Sequence, residues 1–327
     1  MKITFSFAVT AMVSTVFAML APGSLHAQPP KCDAMITACG CTIGAPGTYR
    51  LANELDASQG LTVENGCIDI EGQDINLYVG YPITGPANTN CLCAPPPAGT
   101  GHSQTTCTMS RMGPAQPFGV GIHVLPSASD IYIRVVGVEV NAICGWNYGV
   151  EIEGSDVNLM GTTTKFNNVG VLLNNATDNI LEGNASNENL NGFQISGGSG
   201  NTINGSTAGR NSQYGFWLDG TQGNRLSGDT AVEDFQAGFY LGCSSKGDVK
   251  PLIPCTITTT TGNTLIGDLS EGSAYGIALE RKSIYNQIET NVSVRNLTYD
   301  MADGNGNCIY NTYLNNVYTT KNLKCIQ

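Results

Sequence analysis

Charge is scarce in this chain. Only 13% of its 327 residues are Asp, Glu, Lys or Arg, and three are His. Aromatic residues make up 7%, two of them Trp, and beyond residue 20 no apolar run is long enough to cross a bilayer. Helix-favouring composition is missing too. With 40 Gly and 31 Asn, over a fifth of the chain consists of the two residues that helices tolerate poorly, which excludes a helical bundle. The hydrophobic share of 41% is too high for a disordered chain and ample for a core. What remains is a long, β-rich protein thick with turns.

Lys2, an apolar run from Ile3 to Leu20, the breaker Ala21-Pro22-Gly23 and the small-residue stop Leu25-His26-Ala27 read as a secretory signal peptide cleaved near Ala27. The expected location is therefore secreted or periplasmic, with no membrane insertion after cleavage. All 12 Cys follow that point, an even number in a chain sent to an oxidising compartment, so disulfides are expected. Cys243 with Cys255 and Cys308 with Cys325 are the local candidates; the connectivity of the other eight stays open. Of 15 basic side chains the leader removes Lys2, leaving 14 against 26 acidic ones, a formal charge of −12. That balance argues against nucleic acid and anionic membrane as partners, and against a polyanionic glycan unless a cation such as Ca²⁺ bridges it. No other cofactor is expected.

A period runs through the chain. Gly followed by an apolar, any, apolar triplet recurs at Gly149, Gly170, Gly192, Gly215, Gly238 and Gly276, with spacings of 21, 22, 23, 23 and 38. Asn, any residue, then Ile or Leu recurs in step at Asn179, Asn201, Asn224, Asn263, Asn286 and Asn307, with spacings of 22, 23, 39, 23 and 21. Such a period without helical stretches is the mark of a solenoid made of sheet. Parallel stacking then predicts two internal columns, Val150, Val171, Phe193, Phe216, Phe239, Ile277 and Ile152, Leu173, Ile195, Leu218, Leu241, Leu279. The Gly serves a corner where a side chain would clash or φ is positive, and the Asn a corner where side-chain amides bond to the coils above and below.

The long step predicts a loop inserted at 242–261. Upstream, 28–120 reads as a Cys- and Pro-rich cap with first coils at Leu61–Val63 and Ile68–Ile70, interrupted by an excursion over 81–118. Gly121-Ile-His-Val and Asp130-Ile-Tyr-Ile open the regular coils of 121–299, and 300–327 reads as a disulfide-closed cap. The expectation is one all-β domain of nine or ten coils, about 45 Å long, and monomeric.

The recurring Asn-x-Ile/Leu-x-Gly and Gly-Ile/Val/Phe-x-Leu, the ending Asp300…Asn307-Cys308…Asn311…Asn315…Cys325-Ile326, and the start Cys39-Gly-Cys-Thr-Ile…Gly47-Thr-Tyr…Asn53-Glu-Leu resemble secreted bacterial proteins of the right-handed parallel β-helix repeat family. The group is similar to NosD-like periplasmic proteins and, more distantly, to pectate lyases. The likeness covers nearly the whole mature chain and implies fold more than activity. The association of NosD-like proteins with copper delivery raises a copper alternative. One loop holds the soft donors Cys91, Cys93, His102, Cys107, Met109 and Met112, although disulfides would consume its thiolates. No metal site is therefore assigned.

Strand alternation sends Glu151, Leu172, Gln194, Trp217, Tyr240 and Ala278 outward in one row, and Glu153, Asn174, Ser196, Asp219, Gly242 and Glu280 in a second. Trp217 and Tyr240 on adjacent coils, beside Gln194, Glu151 and Asp219, suit a polysaccharide-binding platform. The alternative is that both rings pack under the inserted loop. Glu151, Glu153 and Asp219 are the carboxylates available to a hydrolase, with Glu151 and Glu153 about 6.6 Å apart by strand rise. A lyase or epimerase needs a cation for the uronate, and the outward rows hold no Arg or Lys before Arg281 and Lys282. His123 alternates with inward Ile122 and Val124 and so faces outward. Binding, catalysis on the same scaffold, and a purely structural solenoid are the three readings that the sequence leaves.

Overall fold

The computed structural model describes residues 29–57, 66–85, 119–136, 142–242, 259–307 and 310–327. Strands pair in parallel into three sheets of ten, eleven and ten strands, one strand of each sheet per coil, which makes a solenoid of about nine turns. The Gly-led strands, from Cys41–Ile43 to Tyr299–Asp303, form one ten-stranded sheet. No α-helix occurs among the described residues.

Stacking is in register. Val150, Val171, Phe193, Phe216, Phe239 and Ile277 lie one above another, as do Ile152, Leu173, Ile195, Leu218, Leu241 and Leu279. The rings of Phe193 and Phe216 stack at 4.9 Å and those of Phe216 and Phe239 at 4.8 Å, nearly parallel in both pairs. Upstream the columns continue through Ile122 and Val124 to Ile68 and Ile70. Like residues meet because parallel in-register pairing sets identical positions one strand spacing apart, about 4.8 Å.

The Gly of the repeat works by clash relief. A Cβ at Gly170 would fall on Ser186 Oγ, and one at Gly276 on Ser293 Oγ. Positive φ occurs at a different corner, at Gly183, Gly205 and Gly228.

Three polar ladders close the corners. In the first, each Asn Nδ2 donates to the next Oδ1: Asn179 to Asn201 (2.9 Å), Asn201 to Asn224 (2.9 Å), Asn224 to Asn263 (3.1 Å) and Asn263 to Asn286 (3.1 Å). The last rung is Asn311 rather than the Asn307 that the motif spacing suggests, because Asn286 donates to Asn311 Oδ1 at 3.3 Å and Ile288 pairs with Tyr313. The final coil runs longer and puts an aromatic ring where an Ile was expected. Asp303 Oδ2 accepts from both Asn311 Nδ2 and the Tyr313 hydroxyl.

The other ladders were not apparent as periods because their residue types vary. One runs Asn184, Ser206, Asp229, Asp268, Asn291, Asn316, and another Asn167, Asn189, Asn211, Asp234, Ser273, Asn296, each backbone N–H donating to the next side chain. An acceptor oxygen is all each rung must supply, so Asn, Asp and Ser interchange.

Two disulfides, Cys32–Cys41 and Cys39–Cys67, staple the first coils, and Cys325 is also disulfide-bonded. The leader 1–27, Leu61–Val63, Cys243, Cys255, Cys308 and the Cys91 to Met112 donors lie outside the described residues. The expected excursion over 81–118 needs a correction at its start: Ile83–Thr84 is a strand pairing with Leu55–Asp56 and with the Ile143 strand. Burial of Ile83 and its carbonyl, which accepts from Trp146 Nε1 at 3.2 Å, keeps that segment in the coil.

Removing the central ring of the Phe column leaves a cavity that its stacked neighbours cannot fill. Phe216→Ala is expected to cost about 3–5 kcal/mol, read as a lowered denaturation midpoint. The ladder carboxyls predict a pH effect. Burial pushes Asp229 and Asp234 up to about 7, each against its hydrogen-bond donors, and burial with the neighbouring Asp229 charge holds Asp268 well above the carboxylate range. A carboxyl whose folded pKa is raised contributes stability that is full below its unfolded value of about 3.9 and is lost as pH rises through the folded value. The thermal midpoint is expected to fall between about pH 4 and 7 from these groups, and Asp229→Asn with Asp234→Asn to flatten that fall.

Candidate functional site

The outer face of the Gly-led sheet carries every candidate that the repeat singled out. Register aligns Asp69, His123, Glu151, Leu172, Gln194, Trp217, Tyr240 and Ala278 in one row. Asn174, Ser196 and Asp219 stand in the second. None of the ten strands of this sheet contains an Arg or a Lys.

At one end is an aromatic cluster. Tyr214 stacks on Tyr240 at 4.5 Å and meets Trp217 at 5.3 Å with tilted planes. Two buried positions, Gly215 and Phe216, separate Tyr214 from Trp217, so residues three apart share the outer face. Trp217 Nε1 donates to the carbonyl of Gly242 at 2.9 Å, which fixes the indole. All three rings are half-buried, leaving part of each open, so the fully solvent-facing pair that alternation suggests is corrected to a packed trio. Residues 243–258 of the expected inserted loop lie outside the described residues.

Carboxyl groups border these rings. Burial pushes Asp219 up to about 6 in spite of its hydrogen bond with Ser196. The Tyr240 hydroxyl bonds to Glu280, and burial, then Tyr214 and Glu280, drive its pKa far above the ordinary phenol value. Gly242 makes room for this arrangement, since a Cβ there would strike the Glu280 side chain.

At the other end is a network that sequence reasoning missed. His123 Nε2 lies 3.2 Å from Glu153 Oε2, and Nδ1 lies 3.4 Å from Asp69 Oδ1. Asn174 Nδ2 donates to Glu151 Oε1 at 3.2 Å and to Glu153 Oε1 at 3.0 Å. Asp69 Oδ1 accepts from the backbone N–H of Gly66 at 2.7 Å, and a Cβ at Gly66 would collide with both Asp69 and His123. Aligning Gly66-Cys-Ile-Asp-Ile with Gly121-Ile-His-Val, with a single apolar column in place of the Gly spacing, would have set Asp69 beside His123 and His123 beside Glu151.

Glu151 points away from the solenoid interior but is only 7% exposed, and Leu172 beside it is buried too, so this part of the row is not the solvated strip that alternation alone implies. Burial raises the Glu151 pKa, opposed by the His123 charge and the Asn174 bond and assisted by Glu153. For His123 burial acts downward, and the bonds to Asp69 and Glu153 with the charges of Glu151 and Asp69 outweigh it, holding the imidazole above its ordinary value.

Residues 119–250 match the family described as periplasmic copper-binding protein (NosD). The chain carries a NosD-like repeat segment. This NosD-like segment, less than half of the chain, contains His123, Glu151, Glu153, Gln194, Trp217, Asp219 and Tyr240, whereas Asp69 and Glu280 lie outside it. No curated protein matches the sequence. Among solved structures, the chain is similar to pectate lyase Pel9A, at 14% identity and TM-score 0.40, covering 89% of this chain and 70% of that one. It is also similar to the Dettilon tailspike protein, at 12% identity and TM-score 0.42 with 89% and 59% covered. A mutant of the periplasmic alginate epimerase AlgG is similar at 10% identity and TM-score 0.35, with 86% and 71% covered.

The Cys91 to Met112 donors weighed for copper lie outside the described residues. Among the described residues no group of three His, Cys, Asp or Glu is placed to hold a metal, and both ring nitrogens of His123 face carboxylates.

The His123 network gives a direct expectation. Its imidazole should titrate above the ordinary value of about 6.5, and Asp69→Asn should bring it down, as read from histidine ring signals by NMR with His123→Ala for assignment.

Proposed function

We propose that this protein binds a polysaccharide outside the cytoplasm, laid along the outer face of the Gly-led sheet. The observation that carries the reading is the stack of Tyr214 on Tyr240 with Trp217 at its side, three partly open rings on adjoining coils. Flat apolar faces suit the C–H surfaces of pyranose rings, and Gln194 and Asp219 on the neighbouring positions supply hydrogen bonds to hydroxyls. A face with carboxyl groups and no Arg or Lys in its strands suits a neutral or weakly charged chain. The two N-terminal disulfides and the leader-like start support an oxidising compartment, secreted or periplasmic.

Affinity electrophoresis of the mature protein in gels cast with neutral polysaccharides, with and without Ca²⁺, tests the reading. Trp217→Ala combined with Tyr240→Ala is expected to weaken retention about tenfold or more, on the order of 1.4 kcal/mol, with the thermal transition preserved. Unchanged retention in that folded variant would show that the platform lies elsewhere.

A further inference from the structure

The second cluster on the same face, three coils from Trp217 and thus about 14 Å along the sheet, has the parts of a bond-breaking site. Glu151 and Glu153 both lie within hydrogen-bond distance of one nitrogen, Asn174 Nδ2, at 3.2 and 3.0 Å, so their facing oxygens are within about 6 Å of each other. That upper bound admits the separation of about 5–5.5 Å at which a carboxyl pair cleaves a glycosidic bond through a covalent intermediate, and falls short of the roughly 6.5–9.5 Å that direct attack by water requires. The two differ in surroundings. Glu151 is buried, which favours its neutral form, while Glu153 faces His123 Nε2 and accepts from Asn174 Nδ2.

We propose that Glu151 and Glu153 are the acid and the nucleophile of a retaining hydrolysis of O-glycosidic bonds, in a polysaccharide without acidic sugars at the cleaved position. The inference rests on the binding face proposed above, which would hold the chain while this end cuts it. In the first step the Glu151 proton passes to the glycosidic oxygen as the C1–O bond breaks and its electron pair leaves with the departing sugar. A Glu153 oxygen bonds to C1, giving an ester. In the second step water gives a proton to Glu151 and its oxygen bonds to C1, and the ester electron pair returns to Glu153. One water is consumed per bond, one reducing end appears, and both carboxyl groups regain their starting forms.

Asp69 and His123 are positioning residues. His123 Nε2 orients the attacking carboxylate and stabilises it when it departs, and Asp69, itself held by the Gly66 N–H, faces the other ring nitrogen. Two carboxylates at one imidazole, on a sheet without Arg or Lys in its strands, would repel a uronate or a phosphorylated sugar.

The test uses the mature protein with cellulose, xylan, laminarin, dextran, galactomannan and chitosan, measuring retention and reducing ends together. At least one retained polysaccharide is expected to yield reducing ends with the anomeric configuration kept, as seen by proton NMR at early times. Relative to the amount retained, Glu153→Gln and Glu151→Gln should each lower release by about 10²-fold or more. His123→Gln should lower the rate of release at saturating polysaccharide about tenfold while leaving the half-saturating concentration nearly unchanged, because the attacking carboxylate is no longer oriented. Retention without reducing ends overturns the hydrolysis and leaves the binding face standing, whereas retention of none of the six overturns both. Inverted products, or release that survives the double carboxyl variant, overturn the assignment to Glu151 and Glu153, and an unchanged saturating rate in His123→Gln overturns the role of His123.

Discussion

In-register parallel pairing is the constraint on which everything else depends. A parallel pair of neighbouring coils can satisfy its backbone N–H and C=O groups at every step only if each coil repeats the path of the one beneath it. Side chains at equivalent positions are then forced into contact, and only some types tolerate their own company: aromatic rings that stack face to face, branched aliphatics, and amides that donate and accept in the same direction. Phe193, Phe216 and Phe239 on the inside and Asn179 through Asn286 at the corner are two solutions to that one requirement.

The architecture was legible because this requirement writes itself into the chain as a period. Both internal columns and the outward row appear in the structure at the positions that the Gly and Asn motifs indicate. The period stops being readable where the chemistry of a position is met by several residue types. The ladders through Asp229 and Asp234 need only an acceptor oxygen and so alternate among Asn, Asp and Ser, and the end of the Asn ladder shifts to Asn311 because the last coil is longer. Among site residues, Tyr214 was hidden by the Gly that follows it, which breaks simple alternation, and Asp69 by the irregular coil length before His123.

Exposure was the other quantity that alternation could not supply. Knowing that Glu151 points outward says nothing about how deeply it is buried, and that burial is what raises its pKa, against the His123 charge and the Asn174 bond. The same holds for Tyr240, whose pKa is raised by partial burial and then by Tyr214 and Glu280 beside it. A repeating scaffold thus sets where side chains start, and the unlike residues on the coils to either side set their chemistry.

The coil is also a unit of length. Because every turn adds one strand to each of the three sheets and leaves the registers of its neighbours untouched, the distance between the His123 end and the Tyr240 end of the face is a whole number of turns. Duplicating or deleting a coil between them would stretch or shorten this face by about 4.8 Å at a stroke while keeping each end intact. Reach in this molecule changes in integers, as the links of a chain do.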